Sequence, residues 1–192
     1  MSQTQLCQVA DVQTYLGDAA KNAGDVLELL INGASAFIEN WCNRKFALTD
    51  YTEWRNGTGK ERIYLANGPV VSVAAVSVDG YAVQPSPDTR SYGFVVGDNT
   101  LYLRPGAGPG AAPRVFTRGI QNVEIQYQAG FATIPPDIIQ ACIELVASKF
   151  AKRTRIDRRS ETLAQQTVGF DLSDMPASVK TVLQQWQCWG PP

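Results

Sequence analysis

"IQYQAGFATIPPDIIQACIELVASKF", from Ile125 to Phe150, carries two periodicities in one continuous piece. Val123, Ile125 and Tyr127 alternate, which puts them on one face of a strand. Gly130 ends that run. Pro135-Pro136 restarts the chain, and proline suits the first helical position because its missing N–H would have no intrahelical acceptor there. Ile138, Ile139, Cys142, Leu145, Val146 and Phe150 then recur at helical spacing, with Thr133 as a loose cap. The stretch reads as a joint where a β-rich segment hands the chain to a helix, and that helix runs into "AKRTRIDRR" (Ala151–Arg159).

Upstream of the joint, the texture from Tyr51 is short β-rich runs punctuated by turn dipeptides. Asn56-Gly57 and Asp79-Gly80 supply the positive φ of a type I′ hairpin turn. They predict Tyr51–Arg55 paired with Arg62–Ala66, and Val71–Val78 paired with Tyr81–Gln84. Gly97-Asp98-Asn99 predicts a third hairpin. About six strands are expected between residues 51 and 129. The Gly/Pro-rich segments Arg104–Arg114 and Gln84–Arg90 read as mobile loops or, in a sharper reading, as loops that order only against a neighbouring subunit or partner protein.

Helical patterns flank this region. Ala10–Leu16 predicts a short first helix, stopped by Gly17. Asp25, with Glu28 three residues on, predicts the N-cap of a longer one. Leu27, Leu30, Ala34, Phe37 and Trp41 form its apolar stripe, ending near Asn43. A last helix starts near Pro176, capped by Ser173 or Asp174, with Val179, Val182, Leu183 and Trp186 as its stripe. Helices, then strands, then helices indicate an α+β fold. The expected organisation is a small antiparallel helical bundle core, residues 9–46 and 135–188, with an antiparallel β insertion at 50–130. All of this falls within one domain, 1–192; a chain of 192 residues buries roughly 70% of its unfolded surface and holds its own core.

Composition narrows the chemistry. The chain has no histidine, so the usual general base and the Ser-His and Cys-His pairings are excluded. Cys7, Cys42, Cys142 and Cys188 are far apart, with no CxxC, so neither a zinc site nor a thioredoxin-like motif is expected. Cys42 and Cys142 fall on apolar helix faces and read as small buried hydrophobes. "RNGTGKER" (Arg55–Arg62) lacks the glycine spacing of a phosphate loop and reads as a hairpin turn. "GAGPG" (Gly106–Gly110) is not followed by a helix, which excludes a dinucleotide fingerprint. The acid pairs Asp25/Glu28 and Asp171/Asp174 read as helix-start charges rather than as an acid/base couple. No catalytic residue, cofactor or metal is expected. "MSQTQLCQVADVQ" has no basic, apolar leader pattern, and no stretch has the length of a membrane span. Cytoplasmic synthesis is the expectation.

Charge is the informative remainder. Net charge is −1 and charged residues are 18% of the chain, a low share. Of the 17 basic residues, six stand together: Lys149, Lys152, Arg153, Arg155, Arg158 and Arg159, with Asp157 between them. The first three suit a helix C-terminus; the others continue past it. Residues 1–30 hold Asp11, Asp18, Asp25 and Glu28 against Lys21. The run reads either as a solvated helix end or as a surface for phosphates or a partner. No aromatic interleaves it, which argues against base stacking. A nucleic-acid-binding module acting through Lys149–Arg159 is the alternative reading.

"VADVQTYL", "DVLELLINGASAFIENWCNRKF", "IYLANGPVVSVAAVSVDG" and "IQYQAGFATIPPDIIQACIELVASKFAKR" follow one another in this order. Together they resemble the head–tail connector (adaptor) proteins of tailed bacteriophages. Arg44-Lys45-Phe46, the strand pair holding Leu65, Pro69-Val70 and Val73, and the bend from Gly130-Phe131 to Ile134-Pro135 carry the likeness. It covers about residues 6–155 and, more loosely, "VGFDLSDMPASVKTVLQQW". The resemblance implies a structural virion protein: a homo-oligomeric ring, commonly of twelve, beneath the portal protein. Such a ring extends the channel for double-stranded DNA, without sequence specificity, and docks a tail-side stopper or tail-terminator protein. It implies no catalytic residue, no cofactor and no membrane contact. The run from Lys149 to Arg159 would then face the DNA channel or the portal, and Trp186 and Trp189 would anchor a partner.

Overall fold

The computed structural model describes residues 5–88, 90–105, 115–153, 160–163, 166–169 and 175–188. The fold is α+β. The chain forms two compact units, one from Met1–Arg44 with Thr133–Cys188 and the other from Lys45–Ala132.

The first unit is helical. It contains α1 (Val9–Leu16) with a 3-10 turn after it (Gly17–Ala20), α2 (Gly24–Cys42), α3 (Pro136–Lys152) and α4 (Ala177–Gln185). α3 contacts α1, α2 and α4. Its starting proline is where the sequence places it, with Pro135 as N-cap and Asp137 Oδ1 accepting the Ile138 N–H. Ile138, Cys142, Leu145, Val146 and Phe150 are buried on its apolar face. Thr133 does not cap it, because Pro135 already sets the approach.

α2 starts and turns differently from expectation. Its N-cap is Ala23, with no side-chain cap, and Asp25 lies within the first turn. The carboxylate there still meets the positive end of the helix dipole. Its buried stripe is Leu27, Ile31, Ala34, Ile38 and Cys42; Leu30, Phe37 and Trp41 are only half-buried. Two apolar stripes at 3–4 spacing overlap on this helix, and packing against several neighbours selects the one with the β-branched isoleucines. Asn43 ends the helix in the left-handed region, φ 50°. α4 is capped by Pro176; Ser173 and Asp174 lie outside the described residues.

Among the described residues the second unit contains seven strands: β1 (Thr49–Gly57), β2 (Arg62–Tyr64), β3 (Val70–Val78), β4 (Tyr81–Val83), β5 (Gly93–Gly97), β6 (Thr100–Arg104) and β7 (Gly119–Ala129). They form two antiparallel sheets, ordered β1-β7-β3-β4 and β2-β6-β5. Two predicted hairpins are present. β3 turns into β4 through Asp79 (φ 54°) and Gly80 (φ 82°), and β5 into β6 through Asp98 (φ 49°). The third is not. β1 pairs with β7 across the whole unit, and β2 pairs with β6 in the other sheet.

The reason lies at Asn56-Gly57. Asn56 Oδ1 accepts the Gln121 N–H at 2.7 Å, and the Gly57 N–H donates to Asn122 Oδ1 at 2.8 Å. A Cβ on Gly57 would stand 1.7 Å from the Thr117 carbonyl oxygen. The dipeptide is a close approach to a distant strand, not a turn. Side chains of both sheets share one core, including Ile63, Leu101 and Leu103 from one and Val76, Val123, Ile125 and Tyr127 from the other. A further antiparallel pair, β8 (Ser160–Leu163) and β9 (Gln166–Gly169), falls where the sequence suggests no strands.

Candidate functional site

The basic run starts on the last two turns of α3. Lys149 and Lys152 lie in the final turn and Arg153 at the C-cap, where cations meet the negative end of the helix dipole. Two of the three also sit over aromatic rings. Lys149 Nζ lies 5.4 Å from the Phe37 centroid, and the Arg153 guanidinium carbon lies 3.4 Å from that of Phe150. Arg153 additionally donates to the Phe150 carbonyl. Lys152 is half-exposed and has an interaction partner of its own. The helix end thus holds its cations in defined places, as cation–π contacts do. Arg155, Arg158 and Arg159 lie outside the described residues, so the structure brings together three of the six.

Trp186, at the C-cap of α4, is half-buried. Its indole N–H donates to Asp137 Oδ2 at 2.6 Å, and Arg44 stacks 5.7 Å from its ring. The residue ties α4 to the start of α3 and the end of α2. Trp189 lies outside the described residues. Cys188, just beyond Trp186, donates its backbone N–H to the Cys42 carbonyl at 2.9 Å. Both cysteines placed on helix faces are buried, and burial pushes the Cys42 thiol up to about 11.

Sequence reasoning missed a second cationic feature, on the β unit. A groove of about 720 Å³ is lined by Trp54, Arg55, Asn56, Thr58, Lys60, Arg62, Ile63, Tyr64 and Gln121. β1 and β2 are outer strands of their sheets, and their residues and the turn between them line it. Gln121 reaches it from a bulge in β7, where its φ is 49°; bulges commonly re-aim a side chain in this way. Arg62 lies 5.7 Å over the Tyr64 ring. The signal was present in "WRNGTGKERIY", where two aromatics flank three cations, but a hairpin reading absorbed it.

Among the described residues no group of three or more His, Cys, Asp and Glu side chains could hold a metal ion. Nor is any described helix long and apolar enough to cross a membrane. Tyr127 is a perturbed group in the core of the β unit. Burial, first, pushes its phenol up to about 12, and its hydroxyl donates to Glu53 at 2.9 Å while accepting from Asn67.

These features define a class before any comparison is made: an α+β protein whose distinctive surfaces are cationic and aromatic patches. The comparisons then name the family. The model of the family "Head completion protein" matches residues 5–188. The chain belongs to that family, and the head–tail connector likeness read from its sequence holds. No curated protein matches it significantly.

Solved structures share its fold. A chain from "Neck of empty GTA particle computed with C6 symmetry" superimposes with TM-score 0.60 at 17% identity, over 100% of this chain and 95% of that one. One from "Neck of native GTA particle computed with C12 symmetry" gives TM-score 0.53 at 19% identity, over 100% and 98%. One from "Virion of native gene transfer agent (GTA) particle" gives TM-score 0.57 at 21% identity, over 96% and 90%.

Proposed function

We propose that this chain is a structural subunit of a virion neck, acting as a head–tail connector rather than as an enzyme. The observation that carries this reading is the family match across residues 5–188. The fold shared with chains of particles whose necks were computed with C6 and C12 symmetry supports it. Both units serve as one connector domain. Copies form a ring, commonly of twelve, below the portal protein. The ring lengthens the channel for passing double-stranded DNA and offers a tail-side stopper or terminator protein its seat. Synthesis takes place in the host cytoplasm.

The α3 end faces the channel or the portal. Lys149 and Arg153 are fixed over Phe37 and Phe150, which favours a steady cationic rim over a flexible reader of bases. Trp186 and Trp189 anchor a partner in this reading.

The test is the mass of the purified chain, alone and mixed with portal protein, together with electron microscopy of particle necks. A ring, or a chain that assembles only on the portal, is expected. A monomer that never joins a portal complex would overturn the reading. If the chain were instead a nucleic-acid-binding module, the isolated protein would bind DNA, and affinity would fall steeply with salt.

A further inference from the structure

Two surface patches remain unused by this role, one on each unit. The groove on the β unit is the first. Its lining includes Arg55, Lys60 and Arg62 and no carboxylate. Glu53 pairs with Arg55 at 2.8 Å. Glu61 lines two neighbouring depressions, one of which shares Lys60 and Arg62 with the groove. Among the described residues, no acid pairs with Lys60 or Arg62. Trp54 and Tyr64 stand beside these cations, 55% and 52% exposed. Such rings cost free energy when left facing water.

The second patch is the first two turns of α2 on the helical unit. Asp25, Val26, Glu28 and Leu29 are all exposed, Val26 at 44% and Leu29 at 72%. The helix dipole accounts for Asp25 in the first turn. It does not account for Glu28 set beside two uncovered aliphatics. The face is acidic and apolar, and the groove is basic and aromatic.

We propose that the groove between β1 and β2 receives the first two turns of α2 from a second copy of the chain. Val26 and Leu29 cover Trp54 and Tyr64, while Asp25 and Glu28 meet Lys60 and Arg62. Apolar burial supplies the affinity, and the charges set register and exclude wrong partners. The two patches differ, so the contact is heterologous and head-to-tail, the kind that closes into a ring when its rotation allows. Closure rests on the neck reading; the contact does not. Duplex DNA fits the groove less well. Its phosphates would satisfy the cations, but paired bases offer no free face to Trp54 and Tyr64.

The experiment replaces Trp54 with the photo-crosslinking residue p-benzoylphenylalanine. It irradiates both the purified chain and assembled particles, then separates products on a reducing denaturing gel. The expected product is a covalent dimer in which position 54 is joined to the tryptic peptide of residues 22–44. A dimer joined elsewhere, an adduct with DNA or another particle protein, or monomer alone would overturn the contact. K60E/R62E should lower dimer yield about tenfold, the effect of opposing rather than matching charges. Adding D25K/E28K to the same chain should restore it; with circular dichroism showing both variants folded, no recovery would overturn the charge pairing, and D25K/E28K alone should lower the yield as K60E/R62E does. Absence of the chain from particles would overturn the neck role, and the purified chain would still decide the contact.

Discussion

The sulfurs of Cys7 and Cys142 lie 3.4 Å apart, with Ser35 Oγ 3.8 Å from the Cys142 sulfur. The Leu6 N–H donates to the same Ser35 oxygen at 3.0 Å. The segment before α1 is therefore fastened to α2 and α3 by one small polar cluster inside an apolar unit. The Cys7 thiol donates to Cys142, which pushes the Cys7 thiol up and holds that of Cys142 below its ordinary range.

Thiol reactivity should follow from this placement, because the thiolate is the nucleophile and access is needed to reach it. Cys7, Cys42 and Cys142 are buried and Cys188 is half-exposed. A colourless thiol reagent at pH 8 should modify Cys188 rapidly in the native protein. The other three should react only as fast as the helical unit opens, and together in denaturant. Mass spectrometry of the labelled peptides checks this; rapid native labelling of Cys42 would refute it.

Trp186 makes a sharper stability prediction. Truncation to Ala removes a half-buried ring and its 2.6 Å bond to Asp137, and should cost about 2–3 kcal/mol, at or below the low end of the range for fully buried aromatic truncations. W186F keeps most of the ring area and should lose about 1 kcal/mol, the worth of a hydrogen bond. Urea unfolding followed by circular dichroism measures both. If W186A unfolds like the wild type but loses portal binding, Trp186 acts toward a partner rather than within its own unit.

How legible these features were depended on their range in sequence. α3, its proline start and its buried face follow from spacing within about four turns. The β3–β4 and β5–β6 hairpins follow from Asp79-Gly80 and Gly97-Asp98-Asn99. β1 was misread because its partner is β7, with Thr49 opposite Ala129, and a dipeptide signal carries no information about a strand so distant. The α2 stripe was displaced because Leu30 and Ile31 both satisfy helical spacing, and only the surrounding helices choose between them. The β1–β2 groove stayed hidden for the same reason. It needs the two strands in different sheets, which the hairpin reading forbade.

Gly130 tests the joint between strand and helix. Its φ is 117°, and a Cβ there would stand 2.5 Å from the Ala47 carbonyl oxygen. Its N–H donates to the Pro69 carbonyl at 2.9 Å, so the backbone has no room to rotate away. G130A should destabilise the β unit by about 2–3 kcal/mol, the strain of an L-residue in a glycine-only conformation. Chemical denaturation with a probe confined to the β unit, such as Trp54 fluorescence in a W41F/W186F/W189F background, would read it. An unchanged midpoint would show that the backbone relaxes.

Asp79 predicts an acid limb. Hydrogen bonds from Thr117 and then Asn122 hold its carboxyl below the usual range. A carboxylate depressed on folding binds protons more readily when unfolded. Its stabilising contribution is complete above the unfolded value, near pH ~3.9, and is lost as pH falls through the folded one. D79N should flatten the fall of thermal midpoint with pH below about 4 while leaving the slope near neutrality unchanged. Scans at several acid pH values compare the two. Parallel curves would assign the acid limb to other carboxylates.

Tyr127 is the last case, and it separates burial from hydrogen bonding. The ring is 2% exposed and stacks on Tyr51 at a centroid distance of 5.5 Å. Its hydroxyl joins Glu53 to Asn67, donating to the carboxylate and accepting from the side-chain and backbone N–H groups of Asn67. Y127F preserves ring area and stacking, so any loss belongs to the hydroxyl. Because Glu53 keeps Arg55 as an ion-pair partner at 2.8 Å, the carboxylate is not stranded, and the expected cost is only about 1–2 kcal/mol. The variant should also abolish the phenol that titrates at about 12, seen as a lost late step in ultraviolet absorbance on alkaline titration. A cost well above that range would mean that the Asn67 turn, not the single bond, depends on the hydroxyl. Denaturation of N67A and of the double variant would decide this, since residues in one network give non-additive losses.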